Sequence, residues 1–286
     1  MEGITGNTLR KMLKDADEGG YAVPMFNFSG LPDLLGLMDA AKEMHAPVMF
    51  ASASIMFDAI DAETLGGMGV AQMKKMETPA ILHLDHSNTV ELCKEAIDNG
   101  YPSVMIDASK LSLEENISTV KQVVEYAHPR NVFVEGEIGK IKGRDYEGTF
   151  LGDDFLVQVP DAVELVEKSG VDSLAVGIGT AHGFYQGKPE LNFKRLAEVN
   201  EAVSIPLVLH GGTGIPEEDV RKAISLGINK VNVGTQIRYT YLKTVQDILN
   251  EKTISIHTKD IILAVRKAVC EDAKKWIKVC MADGKA

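Results

Sequence analysis

Cysteine is scarce in this chain: Cys93, Cys270 and Cys280 are the only three in 286 residues, and no C-x-x-C pair occurs among them. So odd and scattered a set argues against a disulfide framework. The opening Met1-Glu-Gly-Ile-Thr-Gly6 lacks the basic-then-apolar order of a secretory signal. The expectation is therefore a reduced, cytoplasmic protein. No apolar run approaches the ~20 residues that a membrane helix needs. Basic charge is short as well. Lys and Arg number 30 against 41 Asp and Glu, the net charge is −11, and no Lys/Arg cluster offers a track for a phosphate backbone. That excludes a general nucleic-acid binder, and any anionic ligand has to be held by local groups. With no internal repeat, low-complexity tract or linker, residues 1–286 read as one domain.

What the chain does have is eight short apolar runs of strand character: Tyr21–Phe28, Pro47–Ala51, Pro79–Leu84, Ser103–Ile106, Asn131–Ile138, Ser173–Ile178, Pro206–His210 and Lys230–Val233. Several are near-continuous Val, Ile, Leu and Met, as strands covered on both faces of a parallel sheet require. Helical patterns separate them, over Leu31–His45, Glu91–Asn99, Glu114–Tyr126, Ala162–Lys168, Phe193–Glu201 and Glu217–Ser225. This alternation predicts an α/β protein, a (β/α)8 TIM barrel. An open doubly wound sheet fits less well, because no Gly-x-Gly-x-x-Gly follows the first strand. Two later helical stretches, about Tyr239–Asn250 and Lys259–Cys280, exceed what a barrel needs and read as extra C-terminal helices, suited to a subunit contact. The polar, glycine-rich stretch Gly139–Phe155 reads as a lid or binding loop.

In a barrel the carboxyl ends of all strands meet on one face, where active sites lie. That face would receive Asn27, Asp85, His86, Asp107, Ser109, Glu135, Glu137, His182, His210, Asn232 and Thr235. Three of the seven histidines fall at such ends, namely His86, His182 and His210. Singly, each could cap a strand. Together, three imidazoles with an open fourth position suit a catalytic Zn2+, with carboxylates to orient them. His45, His83, His128 and His257 are weaker candidates, and His83 reads as core packing or a hydrogen-bonding support. The glycines of His182-Gly183, His210-Gly-Gly-Thr-Gly214 and Asn232-Val-Gly234-Thr235 serve turn chemistry. Beside a metal they also fit a phosphate grip. A metal next to a phosphate site suggests a phosphorylated carbonyl substrate, and leaves aldol cleavage, isomerisation and hydrolysis open.

These residues resemble the class II, metal-dependent ketose-phosphate aldolases, which include fructose- and tagatose-bisphosphate aldolases and sugar-acid-phosphate aldolases. The matching motifs are Tyr-Ala-Val-Pro-Met-Phe-Asn27, His-Leu-Asp85-His86, Val-Met-Ile-Asp107-Ala-Ser109, Val-Glu135-Gly-Glu137-Ile-Gly139, Gly-Ile-Gly-Thr-Ala-His182-Gly183, Val-Leu-His210-Gly-Gly-Thr-Gly214 and Lys-Val-Asn232-Val-Gly-Thr235. The resemblance spans nearly the whole chain in the family's order. It implies Zn2+ on His86, His182 and His210, with Glu137 and Asp107 able to hold displaced zinc. It implies that Asp85 handles the proton of the hydroxyl that becomes the aldehyde. Dihydroxyacetone phosphate would bind with its phosphate at Gly183, Gly211, Gly212, Thr213, Gly234 and Thr235, with Na+ or K+ nearby, and with Asn27 and Asn232 in contact. Homodimers or homotetramers and a place in carbohydrate metabolism such as glycolysis are also implied.

Three departures from the family pattern bear on substrate. The loop after strand 5 reads Lys142-Gly-Arg-Asp145-Tyr-Glu147-Gly, so Asp145 and Glu147 both stand as the mobile base. Where the bisphosphate members carry Asp-Pro-Arg for a distal phosphate, this chain reads His257-Thr-Lys259-Asp260, and Lys259 lacks the bidentate fork of Arg. The serine after strand 2 is either Ser52 or Ser54. A fructose or tagatose bisphosphate therefore stands beside a ketose 1-phosphate or sugar-acid phosphate as substrate. A zinc hydrolase and a catalytically silent sugar-phosphate binder are the rival readings.

Overall fold

The computed structural model describes residues 4–141, 155–185, 187, 189–251 and 257–286. Eight parallel strands form a closed barrel in sequence order, with β1 also paired to β8. They are β1 (Val23–Asn27), β2 (Val48–Ala53), β3 (Ala80–Ser87), β4 (Ser103–Ile106), β5 (Phe133–Ile138), β6 (Ser173–Val176), β7 (Leu207–Leu209) and β8 (Ile228–Val233). Each lies on an expected run. β2 and β3 extend further, so that Asp85 and His86 belong to the strand itself.

The helices are α1 (Gly6–Gly19), α2 (Leu31–Glu43), α3 (Ala62–Met73), α4 (Val90–Asp98), α5 (Leu113–Ala127), α6 (Val159–Ser169), α7 (Phe193–Ala202), α8 (Glu217–Ser225), α9 (Thr235–Glu251) and α10 (Thr258–Val279). Two of them escape the periodicity reading, α1 and α3. Helix α1 closes the amino-terminal end of the barrel. Its Gly6 amide donates to Asn131 O at 2.7 Å, Arg10 pairs with Asp172 at 2.8 Å, and Asp17 accepts from Asn229 at 3.1 Å. Helix α3 contains Gly66, Gly67 and Gly69, which weaken a helix in isolation. The packing explains two of them: a Cβ on Gly66 would come within 2.5 Å of Asn99 O, and one on Gly69 within 2.7 Å of Leu82.

The two C-terminal helices are present as expected. α10 packs on α2 and α9, with Arg266 forked onto Asp39 and Lys274 on Glu43. Apolar side chains between the strands and the helix ring form the main core, while Met105, Ala175 and Val208 make a separate small cluster.

Candidate active site

The barrel interior is built in layers by the two-residue alternation of its strands. A deep layer holds His83 of β3, Glu135 of β5 and Lys230 of β8, all buried. One step toward the carboxyl end, the same strands present Asp85, Glu137 and Asn232, also buried. Alternation alone would turn His86 away from Asp85, toward the helices. The β3–β4 pairing, however, shifts register between Leu84 and Ser87, and His86 takes a left-handed φ of +51°. This bulge brings Asp85 and His86 into one cavity as consecutive residues. Ser54 donates to the His86 carbonyl at 2.5 Å and so braces the bulge. Ser52 instead faces Tyr101, oxygen to oxygen 2.7 Å, which leaves Ser54 as the serine that reaches the site.

The three histidines converge. His86 and His210 ring centroids lie 4.6 Å apart, His86 and His182 4.9 Å, and His182 and His210 6.1 Å. One ring nitrogen from each falls within 4.8 Å of the others. Tautomers can be assigned from the carboxylates, which only accept. His210 Nε2 lies 2.9 Å from Glu135 Oε1 and must donate to it, and His86 Nδ1 donates to Asp107 Oδ2 at 3.4 Å. The opposite nitrogens, His210 Nδ1 and His86 Nε2, then carry lone pairs and face each other at 2.8 Å. These nitrogens and one of His182 come together at a single place, as the ligands of a shared ion would. The set fits a metal ion, with carboxylates fixing the imidazole tautomers as in many zinc sites. Burial, together with neighbouring His86, holds His210 below its ordinary value, so its ring is neutral as a ligand must be. Asp107 and Glu137 make a second metal-competent group with His86.

Asp85 accepts from Asn27 Nδ2 at 2.9 Å and from Asn232 Nδ2 at 3.4 Å. Burial opposes its charge. The surrounding groups, with Lys230 the standing cation among them, outweigh that and hold the carboxyl well below the usual carboxylate range. It is thus an ionised acceptor beside the metal-competent histidines. His83, held down to about 3 by burial and then by Lys230, stays neutral and pairs with Ser103 Oγ at 2.7 Å, the supporting part expected of it.

The cavity encloses about 520 Å3. Its wall includes Asn27, Ser54, Asp85, His86, His182, His210 and Asn232, and at one corner Gly183, Gly211, Gly212, Thr213, Gly234 and Thr235. The corner needs glycine: Gly211 has φ +68°, and a side chain there would strike the Ala181 carbonyl. Among the described residues, the amides of Gly183, Gly211, Thr213 and Thr235 donate to no protein acceptor. Such convergent unpaired N–H groups form an anion cradle.

One expected residue does not arrive. Lys259 lies on the first turn of α10, in the outer ring, exposed and away from the cavity wall. Asp145 and Glu147 lie outside the described residues. Three residues join the site that the motifs did not single out. Lys230 pairs with Glu135 at 2.7 Å, Tyr185 bridges the loops after β6 and β7, and Arg238 lines the cavity from α9. Lys230 was legible as a lone charge inside an apolar run, two positions before Asn232.

Comparison with known proteins agrees with this geometry. The sequence pattern of the family described as Fructose-bisphosphate aldolase class-II matches residues 7–285. The fructose-bisphosphate aldolase of Staphylococcus aureus is 39% identical over 275 residues, covering 95% of this chain and 96% of that protein. The 6-phospho-5-dehydro-2-deoxy-D-gluconate aldolase of Halalkalibacterium halodurans is 38% identical over 282 residues, covering 98% and 97%. Among solved structures, the YdjI aldolase of Escherichia coli K12 superposes with a TM-score of 0.87 at 36% identity, covering 97% of this chain and 98% of that one.

Proposed function

The chain belongs to the class II fructose-bisphosphate aldolase family, and from that premise we propose that it is a zinc-dependent aldolase that reversibly cleaves a phosphorylated ketose to dihydroxyacetone phosphate and an aldehyde. The observation that carries the reading is the meeting of three imidazoles, the ionised Asp85 and the unpaired amides of the glycine corner in one cavity. His86, His182 and His210 would hold the zinc, which when bound supplies a Lewis acid for the substrate carbonyl. Asp107 and Glu137 offer an alternative carboxylate seat beside His86.

The chain's own groups account for the rest of the chemistry. Asp85, ionised and steered by Asn27 and Asn232, takes the proton of the hydroxyl that becomes the aldehyde, and returns it in the condensation direction. The corner at Gly183, Gly211, Gly212, Thr213, Gly234 and Thr235 receives the phosphate, with a monovalent cation (Na+ or K+) alongside. Asp145 or Glu147 serves as the base that forms the enediolate.

Relatives named for a fructose bisphosphate and for a deoxygluconate phosphate match this chain at 39% and 38% identity, so identity does not select between them. Lys259 does not line the cavity, which favours a ketose 1-phosphate or sugar-acid phosphate over a bisphosphate. A homodimer or homotetramer is part of the proposal, supported by exposed Tyr239, Leu242, Leu249, Ile262 and Leu263 on α9 and α10. A cytoplasmic location fits three cysteines that are all unpaired and buried; no described helix is long and apolar enough to cross a membrane.

The test is hydrogen–deuterium exchange at the hydroxymethyl carbon of dihydroxyacetone phosphate, followed by NMR with and without a zinc chelator. Chelator-sensitive exchange is expected, and a panel of aldehydes then identifies the partner. No exchange by the zinc-loaded protein would reject this donor.

A further inference from the structure

We propose that Arg238 is a specificity residue that binds the substrate's phosphate through its guanidinium. This deepens the proposed function and rests on its phosphate-bearing substrate. A chain of net charge −11 has to hold an anion with local groups, and among the described residues lining the cavity Arg238 is the one Lys or Arg. Its place on α9 sets what it can reach. The helix begins at Thr235, and its first turn closes with the Arg238 amide donating to Gly234 O at 3.1 Å. Residues three and four apart on a helix share a face. Arg238 therefore rises on the same face as Thr235 and Gly234, over the corner where four backbone amides lack a protein acceptor.

Two contacts fix that turn against the corner. Thr213 Oγ1 accepts from the Gln236 amide at 3.2 Å. Tyr239 packs edge-on against Phe184, next to Gly183, with centroids 5.4 Å apart. The state of the guanidinium completes the case. Among the described arginines, Arg10, Arg130, Arg195, Arg221 and Arg266 each hold a carboxylate or carbonyl, on Asp172, Tyr126, Glu198, Glu217 and Asp39 respectively. The Arg238 side chain alone among them makes no hydrogen bond or ion pair. A planar fork left open at the rim of an amide cradle matches a phosphate better than it matches a neutral sugar hydroxyl.

The test compares wild type with R238Q and R238K, all zinc-loaded. It measures the KM for dihydroxyacetone phosphate in the exchange assay and the dissociation constant of inorganic phosphate by titration calorimetry. R238Q is expected to weaken both by about 10- to 100-fold, the range of a charge-assisted hydrogen bond. R238K should recover part of the loss, and zinc content should stay at one ion per chain in all three. Equal phosphate and donor affinity in R238Q and wild type overturns the proposal. So does a weakening seen only with a complete ketose phosphate, because that would place Arg238 at the far end. If wild type shows no exchange at all, the donor reading fails separately. The phosphate titration then still decides Arg238: weaker binding in R238Q supports it and equal binding rejects it.

Discussion

Lys230 Nζ lies 2.7 Å from Glu135 Oε2, and neither side chain reaches solvent. The pair sits directly beneath His210, whose Nε2 is held by the other oxygen of the same carboxylate. A buried ion pair is costly to form and far costlier to break on one side. K230M should therefore lose about 3–5 kcal/mol, which at ~2–4 °C per kcal/mol is a Tm lower by roughly 10 °C. The pH dependence has a definite sign. Burial pushes Glu135 up, but Lys230 and His210 outweigh it and hold the carboxyl well below its ordinary value. A depressed carboxyl stabilises the fold above its unfolded pKa of about 4.3 and ceases to as pH falls below that. The deficit of K230M should thus be full at neutral pH and shrink in acid. Thermal melts at two pH values test this, and a neutral-pH loss under about 1 kcal/mol would mean that the pair contributes little net stability.

His182 and Asp85 should fail in different ways. H182A removes one of three converging nitrogens, and zinc affinity by chelator competition should drop by about 100-fold or more, with turnover lost alongside. D85N keeps the size of the side chain and one acceptor oxygen for Asn27 or Asn232, but removes the ionised proton acceptor. Cleavage should fall by roughly 10²- to 10⁴-fold with zinc still bound. Stoichiometric zinc and full turnover in H182A would remove His182 from the ligand set, and wild-type cleavage by D85N would do the same for Asp85's role.

The left-handed backbone at His86 carries a cost that glycine would not incur, of about 1–2 kcal/mol for an ordinary residue. H86A and H86G both lose the imidazole. Compared in excess chelator, so that metal binding does not enter, H86G should be the more stable by about 1 kcal/mol in denaturant melts. The reverse order would show that φ at this position relaxes when the ring is gone.

Tyr185 fastens the loop bearing His182 to the loop bearing His210. Its hydroxyl accepts from the Ala181 amide at 2.8 Å and donates to Gly211 O at 3.1 Å, and burial pushes it up to about 12, so the donor persists across the working pH range. Y185F leaves both backbone groups unpaired while keeping the ring. Zinc affinity is expected to weaken by about 10-fold, the low end for removal of an outer-shell partner, with the KM for dihydroxyacetone phosphate rising in parallel. Unchanged zinc affinity in a folded Y185F would show that the loops hold their places without this bond.

The barrel and the histidines were legible because each strand core is a dense apolar run that ends in a polar residue, and the topology brings such ends together. Helix α1 was legible in principle, since Leu9, Met12, Leu13 and Ala16 keep helical spacing on its buried side. Helix α3 was not: its glycines read as breakers until the tight approach to Asn99 and Leu82 is seen. The place of Lys259 was not legible, because a basic residue at the start of α10 says nothing of which way that helix faces. Arg238 and Tyr185 act through loop packing, which no local periodicity encodes.

The bulge in β3 has a consequence for how such a site can evolve. A regular strand would let acid–base group and metal ligand drift independently, two positions apart. Here they are adjacent, and one irregular backbone step presents both. Deleting either residue between Leu84 and Ser87 removes Asp85 or His86 itself and restores ordinary pairing, so one event takes away a functional side chain together with the bulge that positions the other. Insertions and deletions, tolerated in the loops around this barrel, should be absent from that four-residue window in any functional descendant.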